Sequence, residues 1–347
     1  MPSIFYIGAT GYIGGSVLVP LINRYSDWKI NALVRNKKDF ASIRELGATV
    51  VEGSFADAAL IAEQSRVADI VINTADADDF PLTTAILTGL KQRFDEGKSK
   101  GALIHTSGCA IFLNDKKDGK LDPNCKAWND TNEEDFKSLT TSQLHGQVDV
   151  PILQAGEEGY VNTYILCPSG VIGATPAGVP VKNGTLFLKI IAQAYIEAKE
   201  GFYVGEGTNE FHVVHIEDLV DYYLRVIDFA VNGKDVGASP YERYFIVTAA
   251  TTNWKMVAQT VSQDLYRRSL LKSSVPKSVA LSEVHPWLSW ISADERPVAG
   301  RGEGLGWKPR HGGLQQYIKE SMDEVLEGVK ISGRYDETTR AFQNVLS

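Results

Sequence analysis

Short apolar runs rich in β-branched and aromatic residues recur along the first half of the chain: Ile4–Ile7, Ile30–Val34, Thr49–Glu52, Ile70–Thr74, Ala102–Thr106 and Asn162–Cys167. Segments of helical length separate them. That alternation predicts a parallel sheet with helices on both faces. After Gly173 the pattern changes. Residues 174–184 are rich in Gly, Pro and Val, and an apolar helix is expected from Leu186 to Ala198. Val213–Asp228 reads as a strand end and helix that return to the core. Tyr241–Leu346 reads as the short helices and loops of an appended domain.

The run Ile4–Ile7 leads straight into Gly8-Ala9-Thr10-Gly11-Tyr12-Ile13-Gly14-Gly15 and then an apolar segment, Val17 to Ile22. Strand, glycine turn and helix are the opening of a dinucleotide-binding fold. A pyrophosphate can sit on helix N-terminal amides only where no side chain blocks the backbone, and one turn residue needs φ > 0. Gly8, Thr10, Gly11, Tyr12, Ile13 and Gly14 are the candidate contacts. About 20 residues further on, an NAD site places an acid on the ribose 2′-hydroxyl. This chain has Arg35-Asn36-Lys37-Lys38 there. Arg35 can fork onto a 2′-phosphate, with Lys37 or Lys38 as a second cation, so NADP(H) is the expected cofactor.

The glycine spacing, Gly8-x-x-Gly11-x-x-Gly14, resembles that of the short-chain dehydrogenase/reductase superfamily in its extended or atypical branch, which includes epimerase/dehydratase-like and NmrA-like NAD(P)-binding proteins. Later motifs follow the family's order: Pro168-Ser169-Gly170 after the sixth strand, Gly205 to Asn209, Val214-His215-Ile216-Glu217-Asp218, and Leu305-Gly306-Trp307-Lys308-Pro309. The resemblance implies that Pro168 and Ser169 meet the nicotinamide carboxamide. It also implies that Ser54 hydrogen-bonds near the adenine with Phe55 over the ring, and that the backbone at Ala75 passes close to the cofactor. Asp57 is expected as a helix N-cap, and His215 as a structural histidine bridging the two domains.

The resulting fold class is α/β: a Rossmann-type doubly wound parallel sheet with a smaller, mostly C-terminal substrate domain. Residues 1–173 form the NADP-binding part, with 211–232 and about 244–248 returning to it. Residues 174–210 and 233–347 form the substrate part. A length of 347 residues suits this division. A net charge of −8 argues against nucleic acid and anionic membrane surfaces as partners, leaving a small-molecule substrate. No apolar run approaches a membrane span, and three cysteines give neither a disulfide framework nor a metal-ligand spacing. A cytoplasmic protein is expected, as a monomer or homo-oligomer.

The resemblance breaks at one place. The family's enzymes use Tyr-x-x-x-Lys before the sixth strand, the tyrosine moving a proton and the lysine holding the ribose. Tyr25-x-x-x-Lys29 and Tyr195-x-x-x-Lys199 have the spacing but lie in the wrong part of the fold. In the expected window, His145 and Asp149 stand four apart, or, one turn earlier, Thr141 and His145. Neither register supplies tyrosine or lysine, and Pro151 is expected to interrupt the helix. Ser107 or Gly108 occupies the place of the family's serine. His145, which titrates near neutral pH, and Ser107 are the candidate catalytic residues. Arg267, Arg268, Lys272 and Lys277 read as a substrate-facing patch or a solvated helix face, and Trp287 with Trp290 as pocket roof or core. The leading expectation is an NADP(H)-dependent oxidoreductase acting on a small carbonyl-bearing metabolite. A non-catalytic NADP(H) sensor comes second and a nucleotide-sugar epimerase or dehydratase third.

Overall fold

A computed structural model of the chain describes residues 2–232 and 239–332. The parts of the expected substrate domain at 233–238 and 333–347 lie outside the described residues. In chain order the strands are β1 (Ser3–Ile7), β2 (Lys29–Val34), β3 (Thr49–Glu52), β4 (Ile70–Asn73), β5 (Gly101–Thr106), β6 (Trp128–Asn129) and β7 (Val161–Pro168). They continue as β8 (Gly170–Ile172), β9 (Phe202–Val204), β10 (Glu210–His215), β11 (Tyr244–Val247), β12 (Ala250–Asn253), β13 (Lys277–Val279) and β14 (Pro297–Val298). The helices are α1 (Tyr12–Arg24), α2 (Phe40–Glu45), α3 (Ala58–Val67), α4 (Phe80–Asp95), α5 (Glu133–Lys137) and α6 (Gly146–Glu157). They are followed by α7 (Leu186–Ala198), α8 (Ile216–Val231), α9 (Trp254–Arg267), α10 (Arg301–Gly304) and α11 (Leu314–Ser332).

Seven strands build one sheet in the order β11–β7–β5–β4–β1–β2–β3, every neighbouring pair parallel. This is the Rossmann-type α/β sheet that the alternation predicts. Successive side chains of β1 point to opposite faces. Ile4 and Tyr6 therefore join α1 and α8 through Val17, Leu18, Leu21, Leu219 and Val226. Phe5 and Ile7 join the α3, α4 and α6 side through Ile61, Leu82, Ile86 and Ile152. Both faces are buried, so the strands are nearly continuous apolar runs. Pro151, expected to interrupt its helix, is accommodated inside α6, which continues unbroken to Glu157; α1 likewise contains Pro20.

The stretch 211–232 packs on the core beside α1, the strand end through Val214 and the helix through Ile216, Leu219 and Val226. The strand part, β10, pairs parallel with β8 and antiparallel with β12 in a separate three-stranded sheet. The edge beside β7 is taken by β11, so β10 has no place there. α8 covers the large sheet, and Val214 of β10 joins the same core. A third core cluster gathers α7, α9 and α11 around Trp254 and Trp287. Trp290 lies 5.0 Å edge-on to Trp254, so this tryptophan pair is core packing. Arg267 and Arg268 both engage Asp264, and Arg268 also reaches Asp323, as a helix-face network does. No helix among the described residues is long and apolar enough to cross a membrane.

The late motifs act as clamps. Trp307 Nε1 donates to the Asp218 carbonyl, and the buried Asp218 carboxylate accepts the Arg310 and His311 amides. His215 N-caps α8 by accepting from the Glu217 amide and stacks on His311 with ring centroids 4.0 Å apart. Tyr195 donates to the Phe202 carbonyl and Tyr25 stacks on Trp28, which accounts for both misplaced tyrosines.

Candidate functional site

The strand order runs outward in opposite directions from β1 and β4. Their C-terminal ends therefore flank the switch point, where an open α/β sheet leaves a crevice. The three turn glycines there have separable reasons. Gly8 has φ +94°, and a Cβ on it would lie 2.6 Å from Thr74 Oγ1. A Cβ at Gly14 would lie 2.1 Å from the Gly8 carbonyl oxygen, so α1 and β1 touch backbone to backbone. At Gly11 a Cβ would meet only the Gly8 carbonyl oxygen, at 3.2 Å. Packing therefore makes little demand for glycine at position 11, and the space its Cβ would take lies over the start of α1. Gly11 is the N-cap, no side chain caps the helix, and the first-turn amides of Tyr12, Ile13 and Gly14 have no intrahelical acceptor. That cradle fits a pyrophosphate.

The neighbouring candidates fall around this turn. Tyr12 turns its side chain inward, Oη donating to the Gly173 carbonyl at 2.6 Å, so only its amide is left for a ligand. Thr10 and Ile13 are half-buried, and the Thr10 carbonyl accepts from Asn183 Nδ2 at 2.8 Å. Arg35 and Lys38 are exposed and make no ion pair among the described residues, whereas Lys37 pairs with Glu52 at 3.0 Å. Of the two lysines, Lys38 is the one left free beside Arg35. Phe55 is exposed and Ser54 half-buried after β3. Asp57 stands at the N-cap position of α3 but caps no helix amide. Its carboxylate accepts the Ser54 N–H at 2.5 Å because the chain folds back on itself there. The Ala75 N–H donates to Asn73 Oδ1, and Thr74 Oγ1 ties β4 to the Ile7 carbonyl. Pro168 closes β7. Ser169 is buried and spends its N–H and hydroxyl on Val247 and Thr248 at the end of β11.

Across the crevice stand the residues of the Tyr/Lys window. His145 immediately precedes α6 with φ +64°, a conformation uncommon outside glycine and worth a functional explanation. Its Nδ1 is 2.8 Å from Asp78 Oδ1, in the loop after β4. Its Nε2 lies against Gly108, where a Cβ would come to 3.0 Å. Gly108 therefore faces the imidazole. Ser107 does not: its hydroxyl donates to Asp149 Oδ2 at 2.6 Å, so the structure separates the two candidate catalytic residues. Asp149 is fully buried and also receives Tyr244 Oη at 2.6 Å. His105 Nε2 approaches Asp149 Oδ1 at 3.7 Å, while His105 Nδ1 meets Asn73 Nδ2 at 3.2 Å.

These contacts set the charges. Burial works against charge on His145, but Asp78, then Asp149 and Asp76, outweigh it and hold the imidazole above its ordinary pKa. Burial pushes the Asp149 carboxyl up to about 6 against the hydrogen bonds from Ser107 and Tyr244. Burial, and then the charge of His145, press His105 down to about 3. Asp76, half-buried beside Asp78, is raised by burial. An imidazolium oriented by a carboxylate on Nδ1, with Nε2 facing Gly108, is the arrangement of a proton donor. Asp76, Asp78, His105 and Tyr244 carried no role in the sequence reading. The acid run Asp76-Ala77-Asp78-Asp79 was the available signal for the first two; His105 and Tyr244 sit inside apolar strands and gave none.

Residues 2–90 match the NmrA-like family. Over 331 residues the chain is 25% identical to a protein named oxidase ucsJ from an Acremonium species, covering 88% of this chain and 92% of the relative. Vestitone reductase from alfalfa (Medicago sativa) shares the fold with a TM-score of 0.55 at 14% identity, over 96% of this chain and 99% of that one. The UDP-glucuronic acid 4-epimerase of Bacillus cereus, solved with UDP-glucuronic acid and NAD, gives a TM-score of 0.60 at 11% identity, over 94% and 99%. The chain shares its overall α/β fold with these reductase and epimerase structures, and its N-terminal region resembles the NmrA-like family.

Proposed function

We propose that this chain binds NADP(H) and reduces a small carbonyl-bearing metabolite, with His145 as the proton donor. The observation that carries the reading is the His145–Asp78 pair, with Nε2 turned toward Gly108 beside the strand ends. Gly8, Thr10, Gly11 and the amides of Tyr12, Ile13 and Gly14 would hold the pyrophosphate, and Arg35 with Lys38 the 2′-phosphate. Ser54, Phe55 and Ala75 would line the adenine side, and Pro168 with Ser169 the nicotinamide side. The bound cofactor supplies the hydride. Asp78 fixes the ring so that Nε2 carries the proton toward the substrate oxygen, and Gly108 leaves room for that oxygen. The name of the Acremonium relative, an oxidase, fits redox chemistry better than epimerisation. Arg35 in place of an acid weighs against an NAD-retaining epimerase.

The test combines binding with turnover. Calorimetry should show NADPH bound more tightly than NADH, and His145→Phe should lower carbonyl reduction by about 10²–10⁴-fold with NADPH affinity unchanged. Full turnover by the Phe variant would remove His145 from the mechanism. A second reading is favoured by one feature: the Tyr/Lys window supplies no lysine to hold the ribose in either register, and in one of them a buried carboxylate, Asp149, falls at the lysine's spacing. Tight NADPH binding with no oxidation across a broad carbonyl panel would mark a non-catalytic NADP(H) sensor.

A further inference from the structure

Asp149 is the least expected residue of the site. Its N–H donates to the His145 carbonyl at 3.0 Å, which sets it in the first turn of α6 directly after the histidine. Its carboxylate is fully buried, yet it is faced by polar groups from β5 and its end and from β11. Ser107 Oγ and Tyr244 Oη both give to Oδ2 at 2.6 Å. Oδ1 has no hydrogen bond, and at 3.7 Å it faces His105 Nε2, which is also buried and unpaired. If Asn73 Nδ2 donates to His105 Nδ1, the neutral ring carries its proton on Nε2, aimed at Asp149. A pocket that points only donors at a carboxyl group is built for its ionised form.

We propose that Asp149 is a positioning residue for His145, a buried anion one turn behind the imidazole that keeps the ring in its acid form. This rests on the reading of His145 as proton donor. The groups facing His145 are Asp78 and Asp76 from the loop after β4, His105 from β5 and Asp149 from the first turn of α6. Those facing Asp149 are Ser107, His105, Tyr244, the Cys167 thiol on β7 and, at longer range, Asp78 and His145. Asp78 orients the ring through a direct hydrogen bond, and Asp149 adds charge without touching it. Burial holds Asp149 near its titration range, so the strength of its donors decides how much of that charge is present at neutral pH.

The experiment follows the His145 ring by NMR titration in the full chain without cofactor, and the pH profile of kcat/KM alongside it. Asp149→Asn should lower the His145 midpoint and shift the alkaline limb of the profile to lower pH by the same amount. Turnover at pH 8 should then fall by about three- to tenfold, with little change at pH 6. Tyr244→Phe removes one donor and no charge, keeps the core volume, and should move the midpoint in the same direction by less. An unmoved His145 midpoint in both variants overturns the inference, even if His145→Phe proves inactive. A lowered midpoint combined with full activity of His145→Phe would leave Asp149 tuning the ring while ending the catalytic reading. If Asp149→Asn fails to fold, the Tyr244→Phe titration alone decides.

Discussion

At the scale of single residues, glycine shows how one amino acid serves three purposes within seven positions. Gly8 is needed for its positive φ, Gly14 for contact between α1 and β1, and Gly11 for the space above the helix start. Different consequences are expected on substitution. Gly14→Ala puts a methyl 2.1 Å from a carbonyl oxygen and should cost about 1–3 kcal/mol or more, read as a lower thermal midpoint. Gly11→Val should leave that midpoint almost unchanged and abolish NADPH binding. If the Gly11 variant still quenches tryptophan fluorescence with the wild-type NADPH midpoint, the turn holds no pyrophosphate.

At the scale of elements, a buried carboxylate ties a paired two-stranded ribbon, β6 and β14, to β11, with which neither strand pairs. Asp130, fully buried after β6, accepts the Gly300 and Arg301 amides at 2.6 and 3.0 Å through Oδ1 and the Ile246 amide at 3.2 Å through Oδ2. One side chain thereby fixes the start of α10 and the edge strand β11. Burial raises its pKa even against those three amides, so its charge is expensive and its hydrogen bonds must offset that cost. Asp130→Ala would orphan the buried Ile246 amide and two half-buried amides and should destabilise by about 2–3 kcal/mol, measured by urea unfolding. A midpoint within error of wild type would mean that water replaces the carboxylate there. The bounds of β3 and α7 were legible residue for residue, because turn residues and apolar runs mark them locally. The pairing of β10 was not, because its neighbours were settled by which strand took the edge beside β7.

At the scale of the whole molecule, the charges buried beneath the site give the fold a pH dependence in which two groups oppose one another. His105, at about 3 in the fold against an ordinary 6.5, stays neutral while the unfolded chain takes up a proton. It therefore removes stability as pH falls from 6.5 toward 3. Asp149, at about 6 against an ordinary 3.8, binds its proton more tightly in the fold and adds stability as pH falls from 6 toward 4. In the window from about 4 to 6 the two nearly cancel. Asp149→Asn should unmask the histidine, so that the variant loses about 1 kcal/mol more per pH unit than wild type on acidification through that window. Parallel urea midpoints for the two proteins at pH 6 and pH 4.5 would contradict this. The sequence by itself determined the alternating α/β pattern, the glycine turn and the cation after β2, all carried by local periodicity or by what a few adjacent residues must do. Only the tertiary structure decided that Asp78 meets His145 across 67 residues, and that Asp149 is clamped by Ser107 and Tyr244 from 42 and 95 residues away. Polar partners at a strand end are chosen by sheet order. The order β11–β7–β5–β4–β1 is set by burial of apolar faces over the whole sheet and leaves no periodic trace in the residues it brings together.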